Sequence, residues 1–283
     1  MIIGALAFAL GALGGCSALR VGYGQAPQLV HWWLDGYLDF DDNQAVRVRE
    51  SIRAWFRWHR STQLADYAVL LARMQAEMAE PVSPAQVCRL WDEVLARASG
   101  AADAAIPPLV DLARTASPDQ LAHMQRRQAK RNADYRSEFL QESAEERTKA
   151  SLKRILDRAE LLYGRLDDAQ RERVAQWLAD SPFDPQAWLA ERQRRQQDVV
   201  LALRRLSTEA VPAAEAHALL RRLYDQTWHS PREAYRAYQQ RLQQYNCAFA
   251  AQVHNQATPE QRRRATARLK GWEDDLRVLA NGG

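Results

Sequence analysis

The sequence predicts an all-α fold, with about a dozen helices in one helical array. Apolar residues recur at spacings of three and four along most of the 283 residues. No segment alternates apolar and polar residues as a half-buried strand does. A third observation is a helix-start signal that returns several times along the chain.

The elements follow in order. Gln28 to Leu38 (QLVHWWLDGYL) reads as a short, strongly apolar helix. Asp41 or Asp42 caps a second helix, with Val46, Ile52, Trp55, Phe56 and His59 on one side. Leu64, Tyr67, Leu71, Met74 and Met78 repeat at three and four as a third, which Pro81 ends. Ser83-Pro84-Ala85-Gln86, Ser117-Pro118-Asp119-Gln120 and Thr258-Pro259-Glu260-Gln261 each put a hydroxyl at N-cap and proline at N1. Glutamine then falls at N3, where it completes a capping box. Asp167-Asp168-Ala169-Gln170 is the same device with aspartate as cap, and Ser181-Pro182-Phe183-Asp184-Pro185 ends one helix and caps the next. These signals predict helices near 84–98, 118–142, 144–164, 168–179, 185–206 and 259–280. Pro107 and Pro108 complicate the segment between the first two of these, where a short helix is expected from about 108. Two more helices fit 212–228 and 231–256, the latter with a seam of Tyr235, Tyr238, Leu242, Tyr245, Phe249 and Val253.

One stretch is unlike the others. Asp119 to Arg147 is polar nearly all round, with few apolar residues after Met124. A helix without a broad apolar face projects from the core or lines a groove. Residues 118–165 are therefore expected as a polar helical hairpin, protruding from the body or lying along it.

Composition bounds the function classes. An apolar fraction of 47% with nine Trp and nine Tyr belongs to a folded chain, one long enough to bury a sizeable core. The formal charge of +4 arises from 39 basic and 35 acidic residues that interleave along most segments. A nucleic-acid binder concentrates its basic charge on one face, so no nucleic-acid partner is expected.

Met1 to Gly15 (MIIGALAFALGALGG) is apolar and uncharged. It is too short to span a bilayer, which takes about 20 apolar residues, and it suits the apolar region of a secretory signal. It ends in Leu13-Gly14-Gly15-Cys16, which resembles a lipobox. That resemblance implies cleavage between Gly15 and Cys16, lipidation of Cys16, and a chain held to the bilayer by its acyl groups. Ser17 follows rather than Asp, which by the sorting rule for such lipoproteins favours the periplasmic face of the outer membrane over the inner membrane. The pattern departs from such signals in one respect: no Lys or Arg precedes Arg20, and a start codon upstream of Met1 would explain it. The expected organisation is a signal peptide over 1–15, a lipidated cysteine with a tether over 16–27, and an all-helical periplasmic domain over 28–283. The tether would reach at most roughly 40 Å.

An oxidising periplasm favours a disulfide between the remaining cysteines, Cys88 and Cys247; the alternative is two buried thiols. Neither cysteine has a second Cys or His at ligand spacing, so no metal is expected there.

Five motifs carry a wider resemblance: GYGQAP (Gly22 to Pro27), WWLDGYLDF (Trp32 to Phe40), SPAQVCRLWDEV (Ser83 to Val94), YGRLDDAQ (Tyr163 to Gln170) and SPFDP (Ser181 to Pro185). On them the chain resembles an uncharacterised family of proteobacterial lipoproteins, over essentially the whole mature chain. The resemblance implies a lipid anchor and a helical fold, and no activity. Thr258-Pro259-Glu260-Gln261-Arg262 is also similar to the LTxxQ-type motif of small periplasmic helical chaperones, with Ala257 in place of the leucine.

No catalytic signature stands out, and no cofactor is expected. Glu50-Ser51 matches the acid of lytic transglycosylases, but no glycine-rich GLMQ-like segment follows. His31, Asp35, Asp39, Asp41 and Asp42 form an acidic neighbourhood for a cation, although helix capping accounts for the same residues. His123, His217, His229 and His254 stand alone. The aromatics near 31–58 form either a core or a partner groove, with a core favoured. Arg126-Arg127, Arg192 to Arg195 and Arg262 to Arg264 read as solvated faces or as contacts to anionic lipid. The expectation is a non-enzymatic, outer-membrane-anchored module that binds an envelope protein or a client polypeptide. The alternative is a hydrolase acting on peptidoglycan.

Overall fold

The computed structural model describes residues 17–282. Among them are eleven helices and no strand. In chain order they are α1 (Ser17–Leu38), α2 (Asp42–Thr62), α3 (Leu64–Glu77), α4 (Pro84–Arg114), α5 (Pro118–Phe139) and α6 (Ala144–Tyr163). There follow α7 (Asp168–Ala179), α8 (Pro185–Thr208), α9 (Ala213–Trp228), α10 (Glu233–Asn255) and α11 (Pro259–Ala280). The all-α expectation holds, and the capping signals fall at the starts of α4, α5, α7, α8 and α11 as the sequence places them.

Two helices organise the array. The C-terminal α11 packs most extensively on α3 and also meets α1, α2 and α6. The long α4 meets α2, α8, α9 and α10. Around α11 sits one core of Met78, Tyr163, Leu166, Val174, Ala257, Ala265 and Leu269. A second joins Ile106, Val110 and Ala113 of α4 to Leu206, Val211 and Ala216. A third, smaller one brings Leu38, Met124 and Val200 together.

The structure corrects three expectations. Residues 17–27, expected as a tether, form the first half of α1 and continue through Pro27. Gly22, Gly24 and Pro27 disfavour a helix locally, but its contacts decide: Ala26 is buried, and Arg20 pairs with Asp275 of α11 at 3.0 Å. Pro107 and Pro108 likewise sit inside an unbroken α4. The lost backbone bonds are offset by burial of Ile106, Val110 and Ala113 on either side of the prolines. Val46, expected on the apolar side of α2, is 53% exposed, and Val48 is buried instead.

The polar pair α5 and α6 lies along the body. Its helices diverge, α5 onto α8 and α1, α6 onto α11 and α7. Beyond the Met124–Val200 contact, the α5–α8 seam mixes amides with aromatic rings. Asn132 exchanges hydrogen bonds with Gln196 and accepts from Arg192 Nε, while Tyr135 stacks between Phe139 and Trp188. Satisfied buried amides thus supplement the narrow apolar face of α5, made of Leu121, Met124 and Tyr135.

Candidate functional site

Four of the capping boxes, those of α2, α5, α7 and α11, prove to be contact points between helices. In α2 and α5, Gln44 and Gln120 complete their own boxes with Asp41 and Ser117. They also bond to each other, Gln120 Nε2 donating to Gln44 Oε1 at 2.5 Å and Gln44 Nε2 to Gln120 Oε1 at 3.3 Å. Each amide further donates across the pair to a carbonyl, Gln44 to Thr115 and Gln120 to Asp39, both at 2.9 Å. The same figure is drawn again by α7 and α11. Gln170 and Gln261 bond reciprocally at 2.8 and 3.0 Å, and donate to the carbonyls of Gln256 and Arg165. In all four cases the acceptor lies two residues before the partner helix's N-cap. Two corners of the molecule are therefore clamped by matching amide pairs. The apolar residues before three of the four caps, Leu166, Ala116 and Ala257, are buried beneath, and Phe40 before Asp41 is half-buried.

The N-terminal hairpin of α1 and α2 has an aromatic inner side. Tyr23 Oη lies 2.9 Å from His59 Nδ1, and His59 stacks on Trp55 at 4.6 Å and meets Tyr67 edge-on. Burial there pushes the His59 imidazole down to about 4 and Tyr23 up to about 12. These aromatics are core, as the sequence favoured. Trp32 is not: it stands 73% exposed, with Leu29 and Val21 on the same outward face of α1. The sequence signal for that face is the run Val21 to Leu34, which contains no Asp, Glu, Lys or Arg.

Buried charges brace the array. Glu191 is fully buried and accepts from Arg194 Nη2 and Ser230 Oγ at 2.7 and 2.8 Å. Burial alone would raise its pKa, but the Arg194 and Ser230 hydrogen bonds outweigh it and hold the carboxyl below its ordinary value. Asp275 is the opposite case: burial raises its pKa and Arg20 only partly opposes the shift. Cys88 of α4 and Cys247 of α10 lie at disulfide distance, with Cα atoms 5.4 Å apart.

The remaining candidates separate. Gly15 and Cys16, the expected cleavage and lipidation positions, lie outside the described residues. Glu50 is on the exposed face of α2. The acidic neighbourhood of His31 serves the chain reversal: Asp35 Oδ1 accepts from Phe40 N, Asp41 caps α2, and Asp39 takes a left-handed φ of 52° at the end of α1. His31 itself tilts against Phe40. His254 bonds to Tyr163 Oη and the Glu80 carbonyl, and His123 to the Gly36 carbonyl. In the Arg192 to Arg195 stretch, Arg192 lies over Trp188, Arg194 binds Glu191, and Arg195 donates to the Thr227 carbonyl. Arg262 donates to the Asn255 carbonyl, and Arg264 lies against Gly164.

A groove between α5 and α8 remains, lined by Gln125, Gln128, Asn132 and Arg136 on one wall and Gln193, Gln196 and Gln197 on the other. Its chemistry is almost wholly that of primary amides, each of which both donates and accepts. Sequence reasoning marked α5 as polar but had no means of pairing it with α8.

With this geometry in view, comparison with known families gives one match: the model of a family of unknown function, DUF6279, aligns with residues 36–230. The chain belongs to that family. The DUF6279 match runs from the end of α1 to just beyond α9, so it takes in the Gln44–Gln120 clamp and the α5–α8 groove. It leaves the GYGQAP motif and α11 outside, a narrower span than the motif resemblance implies. No curated protein and no solved structure matches the chain.

Proposed function

We propose that this DUF6279 protein is a lipid-anchored envelope protein that binds another polypeptide without catalysing a reaction. The observation that carries the reading is how the three cysteines divide. Cys88 and Cys247 sit together at disulfide distance, an arrangement suited to an oxidising compartment. That pairing leaves Cys16, which follows the lipobox-like Leu13-Gly14-Gly15, for acylation. Ser17 at the following position favours the outer membrane.

The groove between α5 and α8 supports the binding role. The lining amides outside the Asn132–Gln196 pair, Gln125, Gln128, Gln193 and Gln197, match the donors and acceptors of a peptide backbone and exert little selection on side chains. That is the chemistry of a holder of client polypeptides or of a partner's extended segment.

The test is crosslinking in living cells from a photoreactive residue at Gln193, with Gln197 as a second position. Discrete polypeptide adducts at both, absent from a probe at exposed Val69, are the expected result. Equal labelling at all three positions would overturn the binding role. Turnover of purified peptidoglycan, abolished by Glu50→Gln, would replace it with a hydrolase.

A further inference from the structure

We propose that the outward face of α1 lies on the anionic lipid surface of the membrane that holds Cys16, so that the helix is a second, non-covalent attachment. The inference rests on the acylation of Cys16 argued above.

The chain is helical at Ser17, the residue after Cys16, and α1 is bound into the body through Arg20–Asp275 and Tyr23–His59. A flexible tether would have let the domain stand off by tens of ångströms. A helix leaves no such slack. Acyl chains on Cys16 would then bring α1, and the body fixed to it, against the headgroups.

The face that α1 turns outward suits that position. Val21, Gly24, Gln25, Gln28, Leu29 and Trp32 are exposed and carry no formal charge. At 1.5 Å per residue they lie within about 22 Å of the helix start. Trp and Leu on such a face enter the boundary between headgroups and acyl chains, where an indole has an apolar body and one polar N–H. Helix α1 is not long and apolar enough to cross a bilayer. Its geometry fits lying on one.

Charge complementarity comes from the neighbouring helix. On α2, Arg49, Arg53, Arg57 and Arg60 recur at four, four and three, a single stripe. Among the described residues none of the four has a carboxylate within ion-pair distance. Arg60 lies over the Tyr23 ring at 5.5 Å, which sets this stripe's end beside α1. Some arginines elsewhere are matched to acids, as Arg73 is with Glu93 and Arg205 with Glu215; what sets these four apart is that they align in one stripe whose Arg60 end adjoins α1. Unmatched guanidiniums beside an uncharged helical face are the pairing that phosphate headgroups satisfy.

The experiment uses the full lipidated protein in phosphatidylethanolamine vesicles, with and without phosphatidylglycerol. Trp32→Cys and Leu29→Cys, each carrying a nitroxide, are compared with Val69→Cys on α3, which is 58% exposed. All three are surface positions, so the fold is not put at risk. Expected is a severalfold higher ratio of oxygen to nickel-chelate accessibility at 32 and 29 than at 69, greater with phosphatidylglycerol present. Replacing Arg49, Arg53 and Arg57 together by Ala removes that lipid dependence. Mass analysis of the N-terminal peptide reads the anchor separately. Acylated Cys16 with aqueous probes at 29 and 32 overturns this inference and leaves the anchor standing; an unmodified Cys16 overturns both.

Discussion

Gln44 and Gln120 lie 76 residues apart and share two reciprocal amide hydrogen bonds, each while completing the capping box of its own helix. Gln170 and Gln261 repeat the arrangement at the other corner of the molecule. A helix cap, ordinarily a local device, is here also a joint between distant elements.

The joint should be measurable. Gln120→Ala leaves the Gln44 amide, the Asp39 carbonyl and the Ser117 N–H without their partner, at a cost of about 2–3 kcal/mol. Gln86→Ala removes an N3 glutamine whose box has no reciprocal partner and should cost about 1 kcal/mol or less. Denaturant titration of both variants checks the difference. Equal losses would reduce Gln120 to an ordinary cap. A double-mutant cycle between positions 44 and 120 should show clear non-additivity.

Acid should loosen the N-terminal hairpin. Burial holds His59 at about 4, below its ordinary 6.5, so the folded state binds fewer protons than the unfolded state between those values. Stability from this site is complete above pH 6.5 and is lost as pH falls toward 4, on the order of 3 kcal/mol in all. His254 is shifted in the same direction, by burial first, and adds to the slope. Unfolding free energies measured from pH 7 to 4 should decline, and His59→Phe should flatten the decline. An unchanged slope in that variant would show that His59 is not its source.

Cys88 and Cys247 are 159 residues apart in sequence. A covalent link over so long a loop is worth roughly 3–5 kcal/mol in the chain-entropy account. Non-reducing peptide mapping should find the two cysteine peptides joined. Reduction, or Cys88→Ser with Cys247→Ser, should then lower the melting temperature by several degrees. Free thiols at both positions in oxidised protein would refute the bridge.

Gly164 ends α6 with φ of 77°, and a β-carbon there would meet Arg264 Nη1 at 2.7 Å and Cδ at 2.9 Å. Gly164→Ala should destabilise by about 1–2 kcal/mol from backbone strain alone. Gly100 is the contrast: it lies within α4 with nothing within 4 Å of an added β-carbon, so Gly100→Ala should stabilise by about 0.5–1 kcal/mol. Thermal melts of the two variants should move in opposite directions.

Much of this was legible because helix starts are local chemistry. Ser83, Ser117, Asp167, Asp184 and Thr258 cap the helices that the sequence assigns to them, since a cap, its proline and its N3 glutamine act within one turn. The seam of α10 and the stripe of α3 were legible for the same reason, as side-chain period alone reveals an apolar face. The polar character of α5 could be read too, but not the helix that would share its amides.

What the sequence by itself determined, then, is the all-α class, most helix boundaries and the caps that make them. Only the tertiary structure decided that residues 17–27 are helical, that α4 runs through two prolines, that capping glutamines pair, and that Trp32 faces outward while Trp55 does not. The physical reason is range. Propensity and capping are fixed by neighbours within a turn, whereas burial, ion pairing and amide exchange depend on residues far away in sequence that only the packed chain brings together.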